Sequence, residues 1–279
     1  MTRFTKGHGT ENDFVIVPDQ DGSLPVEPAW VAAVCDRRAG IGADGVLRVV
    51  PTAKMSGFEH EAADAAWFMD YRNGDGSIAE MCGNGVRVFA RYLVEEGLVA
   101  QSAFNVATRA GTKAVRVPGD GGDITVAMGR PRWPEGTARI TWEHLEAASV
   151  NVDMGNPHAV VFVDDVAEAG ALAVSPVWHP AEVYPNKVNV EFAAPVAEHH
   201  IAMRVFERGV GETRSCGTGA CAAMIAAARR DKPKPGTPYT VDVPGGRLTI
   251  VERPDAVLEM SGPAVLVAHG ELLGLLDLG

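Results

Sequence analysis

Long apolar stretches are scarce in this chain. No segment approaches the ~20 apolar residues that span a bilayer, and the alanine-rich run from Ala220 to Ala228 is too short. The opening residues, Met1 to His8, hold no apolar core of a signal peptide. Cysteine is also sparse. Cys35, Cys82, Cys216 and Cys221 are the four in 279 residues, too few for the disulfide framework of a secreted domain. No C-x-x-C occurs and His199-His200 stands alone, so the spacing of a metal site is missing. Positive charge is in deficit, with 25 Lys and Arg against 36 Asp and Glu for a net −11. That balance argues against a nucleic-acid surface, which needs a basic stripe. The expectation is an acidic cytoplasmic protein with reduced thiols, no metal, and no membrane or nucleic-acid partner.

Glycine and proline are plentiful, 31 and 18 residues. So many turn-formers favour short strands over a helical bundle. The length predicts two domains of ordinary size. In the first half, strands are expected at Asp13–Val17, Gly45–Val50, Ala65–Tyr71, Phe104–Ala107, Thr112–Val117 and Ile124–Met128, with a short helix over Pro28–Cys35. Asn73-Gly74-Asp75-Gly76 is a turn signal. The period then changes. Val86, Phe89, Ala90, Leu93 and Val94 repeat as one face of a helix, with Arg87, Arg91 and Glu95 on the other and Gly97 as its C-cap. The second half repeats the plan. Strands are expected at Val160–Val163, Lys187–Phe192, Ile201–Glu207, Tyr239–Val243, Arg247–Val251 and Val257–Met260. Ala220–Ala228 is apolar on all sides, as suits a helix at the centre of a domain. Arg229 and Arg230 complement its C-terminal dipole, and Pro233 and Pro235 end it.

Each helix opens on the same tetrapeptide pattern: Cys82-Gly83-Asn84-Gly85 and Cys216-Gly217-Thr218-Gly219. A thiol at a helix N-terminus meets unpaired N–H groups and the positive end of the macrodipole, which favour thiolate and hold an anionic ligand. The glycines leave the backbone bare for such a ligand. Two thiols facing one carbon suit a two-base proton transfer, one thiolate removing a proton while the opposing thiol delivers another. Cys35 and Cys221 read instead as inert buried residues. No lysine lies in the context of a Schiff-base site, so no organic cofactor is expected.

The motifs around these thiols are similar to those of the diaminopimelate epimerase family. Asn73-Gly74-Asp75-Gly76-Ser77 leading into Met81-Cys82-Gly83-Asn84-Gly85 resembles the family's first signature. Glu207-Arg208-Gly209-Val210-Gly211-Glu212-Thr213 followed by Ser215-Cys216-Gly217-Thr218-Gly219 resembles the second. Asn12-Asp13-Phe14 and Gly155-Asn156-Pro157-His158 also fit. The resemblance implies cofactor-independent epimerisation of LL- to meso-diaminopimelate, supplying lysine and peptidoglycan synthesis. Cys82 and Cys216 would be catalytic, with His158 tuning one thiol and Glu207 the other; sequence spacing leaves the pairing open, and the one expected here is His158 with Cys82 and Glu207 with Cys216. The small amino-acid substrate would meet Asn12, Asn73, Gly83, Asn84, Asn156, Asn189, Glu207, Arg208, Gly217 and Thr218, with Arg208 gripping the distal carboxylate. A homodimer is also implied.

The fold so implied is α/β (α+β), with two pseudo-symmetric domains, each a curled, mostly antiparallel sheet around a central helix. The active site would lie in the cleft between them. The first domain is expected over residues 1–126 plus 263–279, the second over 127–262. Two positions depart from the family pattern: Glu11 stands where Gly usually precedes Asn12, and Gly45 where a Gln commonly follows Asp44. Three other readings compete. A proline or hydroxyproline racemase uses a similar fold, but that family shows His where Asn84 stands. A non-catalytic amino-acid-binding protein would be expected to lose a thiol. A thiol redox protein would use a Cys82–Cys216 disulfide, which is also the expected route of oxidative inactivation.

Overall fold

The computed structural model describes residues 2–143 and 145–273. The chain forms two compact units. One holds the chain up to Val126 and again from Gly262 onward, and the other holds Ala127–Ser261. The first unit contains β1 (Thr2–Gly9), β2 (Asn12–Pro18), α1 (Pro28–Cys35), β3 (Gly45–Pro51), β4 (Trp67–Asn73), α2 (Gly83–Glu95), β5 (Ala103–Ala107), β6 (Lys113–Arg116) and the first half of β7 (Ile124–Gly129), the strand in which the chain passes to the second unit. The second contains β8 (Arg139–Trp142), β9 (Leu145–Asp153), β10 (Pro157–Phe162), β11 (Val177–His179), β12 (Asn189–Ala197), β13 (His200–Glu207), β14 (Gly211–Thr213), α3 (Gly217–Asp231), β15 (Tyr239–Val243), β16 (Gly246–Glu252) and β17 (Leu258–Gly262). The chain then returns to the first unit with β18 (Val265–Leu272).

The same succession of strand pairings builds both units. In the first, β1–β2 is antiparallel, β2–β3 parallel, β3–β4 antiparallel, β4–β5 parallel, and β5–β6 and β6–β7 antiparallel. In the second, β9–β10 is antiparallel, β10–β12 parallel, β12–β13 antiparallel, β13–β15 parallel, and β15–β16 and β16–β17 antiparallel. Each long helix leaves the chain at the second parallel crossover, where a connection must span the sheet. α2 packs on β1, β2, β3, β4 and β18, and α3 on β9, β10, β12, β13, β15 and β16. Each sheet therefore curls around one helix. Mostly antiparallel strands, two crossovers and one enclosed helix per unit agree with the fold class expected from the sequence.

Helix α2 differs from its expected amphipathic form. Val86, Phe89, Ala90 and Leu93 are buried as expected, with Val86, Phe89 and Leu93 contributing about 2 kcal/mol each. Arg87, expected on the polar face, is fully buried, and Arg91 nearly so. The curled sheet leaves the first three turns of the helix no solvent side. Arg87 instead finds Asn84 Oδ1 at 3.0 Å and Thr10 Oγ1 at 3.2 Å, and Arg91 donates to the carbonyls of Gly121 and Gly122. The helix stops as expected: Gly97 adopts φ +67°, and Leu98 N–H returns to the Leu93 carbonyl. Helix α3 is enclosed too, its alanines letting the strands approach, and it ends on Lys232 in the left-handed region. Strands β1, β8, β9, β11, β14 and β18 lie outside the strands read from the sequence. β1 carries Phe4 as its one large apolar side chain, and β8 and β11 are only 4 and 3 residues long. Among the described residues, no helix is long and apolar enough to cross a membrane.

Candidate active site

Both signature cysteines are N-caps. Cys82 has extended dihedrals (φ −137°, ψ 120°), and its sulfur accepts the Gly85 N–H at 3.5 Å. Cys216 does the same (φ −120°, ψ 113°), accepting the Gly219 N–H at 3.4 Å. A sulfur here takes the place usually held by a Ser or Asp oxygen. In each case the second glycine of the pattern supplies the N–H that the sulfur accepts.

In the first unit, Cys82 belongs to a wired set of amides. Its Sγ–H donates to Asn12 Oδ1 at 3.4 Å, and Asn84 Nδ2 donates to the same oxygen at 3.2 Å. The amide of Asn12 is held in that orientation because its Nδ2 donates to Asp44 Oδ2 at 2.7 Å. Asn84 in turn is held by Arg87 through its Oδ1. Below this layer, Asp13 is clamped by Lys6 at 2.6 Å and Arg37 at 2.7 Å. Burial opposes ionisation of Asp13, but the hydrogen bonds from Arg37 and Lys6 outweigh it and hold the carboxyl at about 2. Asn73 ends β4 and donates to Ser77 Oγ at 3.0 Å within its own turn. Gly83 opens α2 beside Cys82.

Gly45, which departs from the family pattern, sits where backbone crowds it. A Cβ there would lie 2.4 Å from the Arg72 carbonyl oxygen. No side chain fits at 45 without moving β4.

In the second unit, the strand register gathers the remaining residues. His158 on β10 pairs with Asn189 on β12. Val190 pairs with Phe206 of β13, which sets Glu207 across from Asn189. Asn189 Oδ1 accepts the Arg208 backbone N–H at 3.0 Å, while the Arg208 side chain donates to the Asn186 carbonyl at 3.4 Å. Glu207 Oε1 accepts a short hydrogen bond from Thr213 Oγ1. Thr218 Oγ1 lies 3.5 Å from the Cys216 sulfur. Asn156 Oδ1 lies 3.0 Å from His158 Nε2.

The electrostatics of Cys216 differ from the helix-terminus expectation. Burial pushes its thiol well above its usual range, and the carboxylate of Glu207 pushes the same way. The Thr218 hydroxyl and the Gly219 N–H pull it down more weakly. Desolvation and the Glu207 carboxylate outweigh the cap, so Cys216 carries its proton when no ligand is present. The two remaining thiols, Cys35 and Cys221, are buried, and burial lifts Cys35 to about 11.

Sequence reasoning missed Glu191, Arg87 and Asp44. Glu191 shares a strand face with Asn189 by the two-residue period of β12. That alternation, read alongside Asn189, was the available signal.

The chain matches the pattern of the family described as Diaminopimelate epimerase over residues 4–134 and 150–267. A diaminopimelate epimerase of Streptomyces coelicolor is 59% identical over 273 residues, covering 96% of this chain and 94% of that protein. One from Thermobifida fusca is 51% identical, with 97% of each chain covered. Among solved structures, a probable proline racemase from Agrobacterium radiobacter is similar with a TM-score of 0.71 at 16% identity, covering 98% of this chain and 93% of that one. A phenazine biosynthesis protein of the PhzF family from Bacillus anthracis gives 0.69 at 19% identity, covering 98% and 99%. Those two similarities establish the shared fold, while the sequence matches span nearly the whole chain and include both thiol-capped helices. This chain belongs to the diaminopimelate epimerase family.

Proposed function

We propose that this protein inverts one α-carbon of 2,6-diaminopimelate, converting the LL isomer to the meso isomer without an organic cofactor. In that role it supplies a precursor of lysine and peptidoglycan in the cytoplasm, working as a homodimer. The observation that carries the reading is the repeated cap: a cysteine sulfur at the mouth of each long helix, in a chain of this family. One thiolate takes the α-proton, so that a C–H bond breaks and an S–H bond forms. The opposing thiol delivers its proton to the other face of the carbon. Cys216, protonated at rest, is the donor in the direction it serves, and Cys82 is then the base once its thiol has given up to solvent the proton it directs at Asn12 Oδ1. First-turn N–H groups at Gly83, Asn84, Gly217 and Thr218 offer donors to the α-carboxylate as charge spreads onto it. Arg208 and the amides of Asn12, Asn73, Asn156 and Asn189 recognise the remainder of the substrate, and His158 and Glu207 set the charge around the thiols. Water has to be kept from the reacting carbon as the carbanion forms.

The test is α-proton exchange in deuterated water with reductant, offering LL-diaminopimelate and proline separately. Deuterium entering diaminopimelate alone, and lost in Cys82→Ala and Cys216→Ala, supports the epimerase. Exchange on proline alone would place the chain with the racemases, and silence on both would rule out either activity.

A further inference from the structure

His158 and Glu191 form a closed pair in the interior of the second unit. Both side chains are fully buried, and Nδ1 of His158 lies 2.6 Å from Oε1 of Glu191. The other imidazole nitrogen lies 3.0 Å from Asn156 Oδ1, at the outer end of the chain of contacts. Glu191 Oε2 has no hydrogen-bond partner among the described residues. The position that a side chain at 219 would take is 2.8 Å from Glu191 Oε1 and 3.3 Å from the Cys216 sulfur, so the carboxyl and the thiol flank the same glycine. Glu207, Cys216 and Tyr184 are the other titratable groups that sense Glu191.

The orphaned oxygen decides where the proton lies. An ionised carboxylate with one oxygen dry and unpaired is costly, whereas a carboxylic acid needs only a donor use for its hydroxyl. With the proton on Oε1, Glu191 donates to Nδ1 of a neutral imidazole. Nε2 then carries the ring's hydrogen and donates to Asn156 Oδ1, which needs a donor there. Burial accordingly pushes the Glu191 carboxyl up, against the opposing pull of His158.

We propose that Glu191 is a positioning residue for the reaction: it lends His158 a single shared proton, fixing Nε2–H as the outward donor and allowing the ring to become imidazolium when negative charge develops beside it. The step is balanced, since the Glu191 O–H bond breaks and the His158 Nδ1–H bond forms. The pair stays neutral overall while its dipole reverses. No exposed charge is needed at rest, and a cation is available at His158 during the reaction. This inference rests on the reading that His158 lies at the substrate site.

The test compares the wild-type protein with Glu191→Gln, which can donate to Nδ1 but cannot pass a proton. For the variant, kcat is expected to fall roughly tenfold to a hundredfold, as for lost outer-shell partners of a reactive group, with KM changed less than about threefold and an unchanged thermal midpoint. Nitrogen-15 NMR of His158 in the free wild-type protein should show the neutral Nε2–H tautomer. With meso-diaminopimelate added, it should show imidazolium in the wild type and neutral imidazole in Glu191→Gln. An Nδ1–H tautomer or an imidazolium in the free protein would overturn the proposal even if the variant did not fold, and so would an unaltered kcat. If the wild type does not act on diaminopimelate, the functional reading fails. The free-protein spectrum still decides where the shared proton lies.

Discussion

Asn12 and Asn156 occupy the same place in the two units. Each lies two residues before the position that pairs with the third strand of the shared plan, Phe14 with Gly45 and His158 with Asn189. Each offers its Oδ1 inward, Asn12 to the Cys82 thiol and Asn156 to the His158 ring. Asn12→Ala should therefore lower kcat roughly tenfold to a hundredfold through a misplaced thiol, with the thermal midpoint within a few degrees of wild type. Steady-state kinetics at saturating substrate check this. An unaltered kcat would remove Asn12 from the arrangement of Cys82.

The unequal settings of the thiols predict unequal reactivity. Cys82 is half-buried, and Cys216 is buried with its thiol held protonated by burial and by Glu207. In ligand-free protein at pH 8, iodoacetamide should label Cys82 well before Cys216, read by peptide mass spectrometry. Glu207→Gln removes one negative charge, so the Cys216 thiol should titrate lower and react faster at fixed pH. Cys35 should stay unlabelled in native protein.

Gly219→Ala places a methyl group 2.8 Å from Glu191 Oε1 and 3.3 Å from the Cys216 sulfur. Both neighbours are confined, so the expected cost is about 1–3 kcal/mol of stability together with a fall in kcat. Denaturant melts and kinetics read the two effects separately. Activity equal to wild type would show that the carboxyl and the thiol are not held against this glycine.

Asp70 is fully buried among Arg48, Arg72 and Arg109, at 3.3, 2.9 and 2.7 Å. Burial opposes its ionisation, but the bonds and charges of Arg72 and Arg109 prevail and lower its pKa. A lowered carboxylate pKa contributes stability in full above the unfolded value of about 4. That contribution fades as pH falls through the folded value. Asp70→Ala should cost about 3–5 kcal/mol at pH 7 by leaving Arg72 and Arg109 without this anion, while Arg48 keeps its pair with Asp19. The gap from wild type should narrow below pH 4 in melts across a pH series.

Gly45→Gln, which would restore the family's commoner residue, should destabilise this chain. Its Cβ meets the Arg72 carbonyl oxygen at 2.4 Å across the β3–β4 pair. A fall in thermal midpoint with the mutant's substrate affinity unimproved is the expected result.

Local signals were enough for much of this protein. Cys82 and Cys216 could be placed as helix-opening thiols because glycine pattern and hydrophobic period act over a few neighbouring residues. The duplication was legible for the same reason, since each half repeats its turn, its cysteine and its helix. Gly97 and the Arg229-Arg230 pair marked helix ends through backbone geometry and dipole alone. Burial was not legible, because it depends on what the sheet wraps. Arg87 and Arg91 read as a polar face until the curled strands enclosed them. Glu191 looked like an ordinary strand residue, and only the parallel pairing of β10 with β12 brought it to His158. The state of Cys216 was likewise decided by tertiary structure. A helix N-terminus favours the thiolate, but desolvation and the Glu207 carboxylate at the end of β13 reverse the balance.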